Sequence, residues 1–484
     1  MSSLRFFTLA GIAILVSAVS VSVASAADLI IDTEDTNPVV INVPYDDVTV
    51  SVPVNVVNES HVGQRITEKG PDGLNVFDFS GKLEQSNGLF TNNGYVSTAI
   101  LSGEANFTNN TSGAPKKPGI VGVAGVDWME IAASSSVKVI NNGSIGVYST
   151  DINDRTGGLK QASGEVTNNS YISRLEISGG KVTNNKQISD VYQTGGVVVN
   201  LDWIKDITID GPNAVFHNKV LYNDAGDAIK AGGISEGGGL ILKSGTAVID
   251  NFVNKIDMYE DGYLILNKDR KNRAVEVLNL YGGKISGNGA KITEFNILGK
   301  FESVYPAVLP KELDEATTEL FSATAASAAS GFFFEVENLV FGAESEITLM
   351  VNSLIFGESM LFNVTGSISV EEGAIINVVF SEAVLEALAS GESSDFNLMD
   401  LFGIETGSPV VSNLDWNTGV TYFAGSYSDN NKLDMNDTYW LEELVANARE
   451  PHNPNATPEP ATVLFLAVSA LAGLPISRRF RKKS

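Results

Sequence analysis

The chain has 484 residues, of which 46 are glycine and none is cysteine, and its formal net charge is −26. Without cysteine it can form no disulfide framework, thiolate metal site or cysteine nucleophile. The chain has only three histidines (His61, His217 and His452), so we do not expect a histidine metal centre or a catalytic triad. An apolar fraction of 43% is typical of a folded, turn-rich protein.

Residues 1–26 have the organisation of a secretory signal peptide. Arg5 supplies the positive charge, residues 6–19 are apolar, and Ala24, Ser25 and Ala26 form a small-residue cleavage site. A retained membrane anchor is the alternative, but the small residues favour removal. The mature chain is therefore expected to begin near Ala27, outside the cytoplasm.

Residues 27–89 are predicted to form N-terminal strands or a cap. Residues 39–43 and 48–56 alternate β-branched and polar side chains, a pattern that indicates strands. Pro53 cannot donate a ladder hydrogen bond, so we expect an edge that covers the open end of a stack.

Residues 90–300 repeat a short pattern, apolar-x-Asn-Asn-x-x-apolar. The Asn-Asn pairs begin at positions 92, 109, 141, 168 and 184, with separations near one or two multiples of a short repeat. Leu175 and Ile177 are two apart and are predicted to point inward from one strand. The pair Gly179 and Gly180 then supplies a turn, and Asn-Asn makes the next corner because asparagine tolerates left-handed backbone. Stacked corner amides can also pair from rung to rung.

The order apolar–glycine–lysine–apolar recurs at residues 175–182 and 278–285, and with one extra residue at 240–248. Such units bury their apolar side chains only when they are stacked. The predicted fold is therefore all-β: a single-stranded, right-handed parallel β-helix, or solenoid, with short capping helices. A β-propeller is the alternative, although the units are short for four-stranded blades.

The second half of the chain is predicted to interrupt and then close this stack. Residues 301–331 form a helical and Ala/Ser-rich insertion, with an amphipathic helix at 310–320. Residues 332–380 are terminal rungs, in which 338–342 resembles 353–357. Residues 381–445 form a C-terminal cap that begins with a helix at Ser381, and residues 446–457 form a linker.

Residues 458–484 combine three features in order. Pro458, Glu459 and Pro460 precede an apolar run at 461–476, which is followed by five basic residues: Arg478, Arg479, Arg481, Lys482 and Lys483. The run is slightly short for a transmembrane helix, and the basic cluster favours a cytoplasmic stop-transfer end. This order resembles the PEP-CTERM sorting signal. The resemblance implies that an exosortase, a membrane protease-transpeptidase, acts at the tripeptide; an ordinary single-pass anchor is the alternative.

The body between the two ends is more acidic than the whole chain. The first 26 residues hold one basic residue, and the last 27 hold five basic residues and one acid, so 26 basic and 57 acidic residues remain, a net charge of −31. Nucleic acid is not an expected partner, because binding phosphates needs a basic surface. This negative charge favours solubility, cation binding and repulsion between copies of the chain.

The Asn-Asn repeat resembles the repetitive β-helical bodies of bacterial surface and autotransporter-type proteins, although no autotransporter barrel follows it. Parallel β-helices also include pectate lyases and polygalacturonases. The best candidate acids are Asp202, Asp206 and Asp210, expected on one strand face with Lys205 opposite. Acids four residues apart on a strand are about 13 Å apart, too far for a glycosidase pair, so a partner on another rung is needed. The core residues expected on this segment are Trp203, Ile207 and Ile209.

Other polar residues predict little chemistry. Five loop acids offer the oxygen ligands that calcium prefers, but their spacing fits no EF-hand loop. They are Asp224, Asp227, Asp257, Glu260 and Asp261. His217 is expected at an Asn corner, in a turn role. We predict no catalytic residue, no metal site and no cofactor.

The sequence thus predicts a non-enzymatic β-solenoid that is exported across the inner membrane, held as a membrane-anchored intermediate, and displayed at the cell surface or in the extracellular matrix. The expected partners are an exosortase-type processing enzyme and the inner membrane, through the C-terminal transmembrane helix. A polysaccharide matrix is a further candidate. The alternatives are a carbohydrate-active β-helix enzyme, either lyase or glycosidase, and a glycan- or protein-binding adhesin.

Overall fold

A computed structural model describes residues 28–33, 38–63, 65–69, 75–78, 81–110, 125–146, 157–223, 227–234, 237–267, 274–303, 334–351, 362–381, 402–403, 411–412, 421–427 and 433–440. The chain divides into two compact units, residues 1–254 and 255–484. The signal peptide, the predicted helices at 310–320 and after Ser381, the linker and the sorting tail lie outside the described residues. Within them, no helix is long and apolar enough to span a membrane.

The described part of unit 1 consists of short strands joined by turns. In chain order they are β1 (Leu29–Ile31), β2 (Val39–Ile41), β3 (Val48–Val50), β4 (Asn55–Asn58), β5 (His61–Val62), β6 (Arg65–Lys69), β7 (Asn75–Asp78), β8 (Lys82–Gln85), β9 (Leu89–Asn92), β10 (Tyr95–Leu101), β11 (Asn106–Asn109), β12 (Gly125–Ile131), β13 (Lys138–Asn141), β14 (Ser144–Ile145), β15 (Gly158–Gln161), β16 (Glu165–Asn168), β17 (Tyr171–Ile177), β18 (Lys181–Asn184), β19 (Gln187–Gln193), β20 (Val197–Asn200), β21 (Trp203–Asn218), β22 (Val220–Tyr222), β23 (Ala228–Ala231), β24 (Gly233–Ile234) and β25 (Leu240–Ile249).

Unit 2 begins with three long strands of 14 or 15 residues. The first of them, β26 (Val253–Asn267), contains the boundary, and it is followed by β27 (Ala274–Asn288), β28 (Ala290–Ser303), β29 (Phe334–Phe341), β30 (Glu346–Val351), β31 (Phe362–Val370), β32 (Ile375–Ser381), β33 (Val411–Ser412), β34 (Thr421–Tyr427) and β35 (Leu433–Trp440).

Strands that lie one turn of the chain apart pair in parallel. Leu175 of β17 is in register with Val191 of β19, and Val182 of β18 with Val198 of β20. Parallel partners of this kind require the chain to coil around an interior, whereas a propeller blade is a self-contained sheet. The fold is therefore all-β and parallel β-helix-like, as the repeat predicts.

One rung of unit 1 has three straight segments, which we call a, b and c. In the rung that contains β17 and β18, segment a is residues 171–172, segment b is 174–177 and segment c is 181–184. Ile172 and Ser173 are both buried, which breaks the strand alternation and marks the bend between a and b. Gly180, with a φ of 79°, lies in the turn between b and c.

Each Asn-Asn pair marks one rung, whatever its distance from the next. Neighbouring pairs are 17, 32, 27 and 16 residues apart, and all four steps are direct hydrogen-bonded neighbours. The interpretation of the long steps as two repeats is therefore wrong. They are single rungs with longer connections that contain residues 111–124 and 147–156, which lie outside the described residues. A connection that leaves and re-enters at a corner does not disturb the register, and loop length costs little.

The stack begins before the Asn-Asn repeat. Strands β1 and β2 pair with β3 and β4, and β4 pairs with β9. The strands between residues 29 and 58 thus belong to the same stack as the Asn-Asn repeat. Pro53 lies in the turn between β3 and β4, where no ladder donor is required.

Unit 2 keeps parallel pairing, with register partners 17 or 18 residues apart between β27 and β28 and 29 apart at Asn338. Asn338 is in register with Ser367, a separation of 29 residues, so the shorter spacing expected between 338–342 and 353–357 is wrong. Strand β34 pairs in parallel with β32, and β35 then runs antiparallel to β34.

Apolar columns fill the interior of each unit. In unit 1, Val166, Val182, Val198 and Phe216 follow one another from rung to rung and are fully or almost fully buried. In unit 2 the interior is filled by the buried rings of five phenylalanines: Phe295, Phe334, Phe341, Phe362 and Phe402. Complete burial of such a side chain contributes about 1.5–3 kcal/mol, so the columns are the main source of stability.

Candidate functional site

The first asparagine of each pair belongs to a buried amide ladder in unit 1. The side-chain Nδ2 of each member except the last, Asn218, donates to the Oδ1 on the next rung at 2.7–3.0 Å. The predicted rung-to-rung pairing is therefore confirmed. We call this row the inner ladder; its members, all 0% exposed, are Asn58, Asn92, Asn109, Asn141, Asn168, Asn184, Asn200 and Asn218.

The inner ladder also satisfies its remaining polar atoms. Asn168 Nδ2 donates a second hydrogen bond to the carbonyl of Gln187 on the next rung, at 3.0 Å. Its Oδ1 accepts from the backbone N–H of Ser170 at 3.4 Å. A buried amide that is satisfied in this way fixes the corner rather than weakening the core.

The second asparagine of each pair belongs to an outer ladder. Asn185 donates to Asn169 at 2.9 Å, and the same bond continues toward the N-terminus at 2.9, 3.1 and 3.1 Å. Lys230 Nζ donates to Asn185 Oδ1 at one end, and Glu59 Oε1 accepts from Asn93 at the other. The donors of the two ladders thus point in opposite directions, and the outer one ends on charges that match its polarity. Its members are Asn93, Asn110, Asn142, Asn169 and Asn185.

Three buried glutamines, which the sequence reasoning missed, hold the turn between segments b and c. The Nε2 of each donates to the carbonyl of the glycine three residues later at 2.9–3.0 Å, and to a carbonyl on segment c of the following rung. Their recognisable signal is a glutamine at the end of a strand, three residues before a glycine. They are Gln85, Gln161 and Gln193.

The candidate acids Asp202, Asp206 and Asp210 do not all share one face. The chain bends at Lys205, which resets the strand alternation, so Asp202 lies on a different segment from the other two. Asp206 and Asp210 lie on the outward face of β21, alternating with the buried Ile207 and Ile209. Each of the three acids has its own cation: Lys186 and Asp202 are 3.8 Å apart, Lys205 and Asp206 3.4 Å, and Lys243 and Asp210 3.2 Å.

The bend also corrects two further expectations for this segment. Lys205 lies beside Asp206 rather than opposite it. Trp203 is half-buried and Ile204 takes the expected core place beside Ile207 and Ile209.

Asp206 has a neighbouring acid on another rung. Asp190 of β19 is its register partner, and Arg174 of β17 is the register partner of Asp190 in turn. Both acids are half-buried, and Asp206 Oδ1 also accepts from the Gly239 N–H at 3.2 Å. The signal in the sequence is the rung of 16 residues, which also separates Asn184 from Asn200.

His217 does not occupy an Asn corner. It is in register with Val199, while Asn218 follows Asn200 in the inner ladder, because Phe216 rather than Val215 is the apolar residue of the repeat. His217 is 1% exposed, and its Nε2 lies 2.6 Å from Asp250 Oδ2. The expectation of a turn role is wrong, and the contact is a buried histidine–carboxylate pair.

Tyr95 and Asp127 form a second buried polar contact. The Tyr95 hydroxyl donates to Asp127 Oδ2 on the next rung. Burial raises the pKa of both groups, and the nearby His61 has a pKa lowered by burial. Tyr171 makes the same kind of contact with Ser189, at 3.1 Å, so a tyrosine in segment a holds the bend of the following rung.

The loop acids that could supply calcium ligands form no cluster among the described residues. Asp257 is 2.9 Å from Lys255 and accepts from Asn279 at 2.7 Å, and the Asp227 N–H bonds to Asn223 within a turn. Asp224 lies outside the described residues. Across the ranges that the structure describes, no group of three or more histidine or acidic side chains could hold a metal ion.

Comparisons with known proteins add no relative: no family model matches the chain, and neither a curated protein nor a solved structure matches it. The fold and the two ladders therefore define only a class, a parallel β-helix-like solenoid with asparagine corners. The residues of the sorting signal, Pro458 to Pro460 and the basic cluster from Arg478, lie outside the described residues.

Proposed function

We propose that this protein is an exported, non-enzymatic β-solenoid scaffold, sorted by its PEP-CTERM-like tail and displayed at the cell surface or in the extracellular matrix. The observation that carries the proposal is the stack of unit 1, in which two amide ladders and an apolar interior use the repeated residues for shape. Right-handed coiling, capping helices, a signal helix and a C-terminal membrane helix belong to the same proposal.

The chemistry of the chain suits an extracellular scaffold. Its stability comes from apolar columns and amide ladders, so neither a disulfide nor a metal has to be supplied outside the cell. The net charge of −31 on the body keeps copies apart and soluble. An exosortase-type enzyme and the inner membrane are the partners that the tail would meet during export.

Replacing Pro458, Glu459 and Pro460 with alanine tests the sorting step. The wild-type chain should leave the membrane fraction, whereas the variant should remain there, because the apolar run is no longer separated from the body. Replacing Pro451 and Pro454 in the linker is the matched control and should leave release unchanged. Equal release of the tripeptide variant and the control would contradict sorting by this signal.

A carbohydrate-active enzyme is the second candidate, and the stacking of Asp190 on Asp206 favours it. Neighbouring strands lie about 4.8 Å apart, close to the separation of about 5–5.5 Å between the carboxyl groups of retaining glycosidases. New reducing ends from a polysaccharide panel, lost in Asp190→Asn and Asp206→Asn but kept in Asp210→Asn, would support it. If the wild-type chain produced no new reducing ends, the carbohydrate-active enzyme would be excluded as a candidate.

A further inference from the structure

Two exposed tyrosines stack on each other in unit 2. Tyr259 of β26 and Tyr281 of β27 have ring centroids 5.0 Å apart and planes inclined by 12°. Each side chain is 40% exposed, although a tyrosine in a strand can bury most of its ring against neighbours. The two rings therefore form one partly exposed aromatic stack that spans two rungs.

A row of polar side chains lies beside these rings. Asp257 and Asn279 each precede one of the tyrosines by two residues, so they point to the same face of the sheet. Asn279 Nδ2 donates to Asp257 Oδ1 at 2.7 Å, and Asn296 of β28 donates to Asn279 Oδ1 at 2.9 Å. We call these five residues the tyrosine–amide face.

The charged residues around this face are one ion pair and two further acids. Lys255 Nζ lies 2.9 Å from Asp257 Oδ2, and this carboxylate raises the pKa of Lys255. The exposed Glu260 and Asp261 follow Tyr259 directly on the same strand. An anionic ligand would be repelled by them and by the acidic body, whereas an uncharged ligand would not.

Stacked tyrosines on neighbouring strands also stabilise a sheet by themselves. That role does not require the rings to be exposed, nor a hydrogen-bonded carboxylate and amide row at their side. Aromatic surface combined with a few fixed polar groups is the composition of a binding site for a molecule that has both apolar and hydroxyl faces. A sugar ring has both: its C–H face packs on an aromatic ring, and its hydroxyls bond carboxylate and amide groups.

We propose that the tyrosine–amide face binds an uncharged polysaccharide chain, laid across the rungs with sugar rings against Tyr259 and Tyr281. The inference deepens the proposed function, since it gives the exported scaffold a matrix partner, but the binding itself does not depend on the sorting tail.

Affinity electrophoresis of the full chain in a mild zwitterionic detergent tests the proposal. The gels contain hydroxyethylcellulose or dextran as uncharged polysaccharides, or alginate as an anionic one. We expect retardation by at least one uncharged polysaccharide and none by alginate. The double variant Tyr259→Ala and Tyr281→Ala should bind about tenfold more weakly, because both aromatic rings that would pack against the sugars are removed.

Tyr192→Ala is the matched control, because Tyr192 is a similarly exposed tyrosine, at 43%, on a strand of unit 1. It should bind like the wild-type chain, and circular dichroism of all variants should be unchanged. Asn279→Ala, which keeps both rings, should also weaken binding. Retardation by alginate alone, by neither uncharged polysaccharide, or equally in the double variant and the wild type would overturn the proposal. Each of these results would leave the export experiment unaffected, so the two can fail separately.

Discussion

At the scale of single residues, the two asparagines of a corner have the same chemistry and different environments. Asn168 is fully buried in the inner ladder, whereas Asn169 is exposed in the outer one. A hydrogen bond contributes about 0.5–1.5 kcal/mol net, but a buried partner left unsatisfied costs a further 1–3 kcal/mol. The inner ladder should therefore dominate the stability of the corners.

Replacing Asn168 with alanine should lower the free energy of unfolding by about 3 kcal/mol, since Asn141 and Asn184 both lose a buried partner. Replacing Asn169 with alanine is the matched control and should cost below about 1 kcal/mol. Urea denaturation followed by circular dichroism measures both. Equal losses would show that burial does not distinguish the two ladders.

The Tyr95–Asp127 contact predicts a pH dependence. Burial raises the pKa of Asp127 above its ordinary value of 3.8, so the folded protein holds this proton more tightly than the unfolded chain does. The stabilisation from this group is complete below pH 3.8 and is lost as the pH rises through the raised pKa.

Urea midpoints measured from pH 3.5 to 7 check this sign. In Asp127→Asn the fall in stability over this range should be smaller than in the wild type, because the titrating group is gone. In Tyr95→Phe it should be steeper, because the hydroxyl that stabilises the ionised carboxylate is lost. A steeper fall in Asp127→Asn would mean that the sign is wrong.

At the scale of elements, the turn between segments b and c brings the backbones of neighbouring rungs close together. Gly180 has a φ of 79°, and a Cβ there would lie 2.4 Å from the carbonyl oxygen of Gly164 on the preceding rung. Gly237 has a φ of 80°, but a Cβ there would meet no atom within 4 Å. The two positions share the backbone strain and differ only in the space around them.

Gly237→Ala should cost about 1–2 kcal/mol, the strain of a left-handed alanine. Gly180→Ala should cost clearly more, on the order of 3 kcal/mol, because the backbone of the preceding rung must also move. Thermal unfolding of both variants gives the comparison. Similar losses of stability in the two variants would show that the preceding rung accommodates the added Cβ at no cost.

The elements also show what a sequence pattern can predict. The inward places of Leu175 and Val182 and the asparagine corners follow from period-two alternation and turn chemistry, which act locally. The place of Trp203 does not follow, because the bend at Lys205 resets the alternation and no residue type marks that bend. The stacking of Asp190 on Asp206 depends on the register between rungs, and the 16-residue step from Asn184 to Asn200 reveals that register only once the two asparagines are known to be neighbours.

At the scale of the whole molecule, each unit is stabilised by contacts between neighbouring rungs. Each rung contacts the rungs on either side, so a connection can lengthen without loss of the stack, as it does between Asn109 and Asn141. Such a body tolerates variation on its outside while the columns and ladders keep its shape. This is the property that a displayed scaffold requires, and it explains why the repeat itself identifies no partner.

Export with removal of both ends is tested most directly by mass spectrometry of the chain's termini, after its recovery from intact cells. We expect a chain outside the cytoplasm that begins near Ala27 and lacks the apolar run at 461–476 and the basic residues after it. A cytoplasmic chain that still begins at Met1 and ends at Ser484 would contradict it.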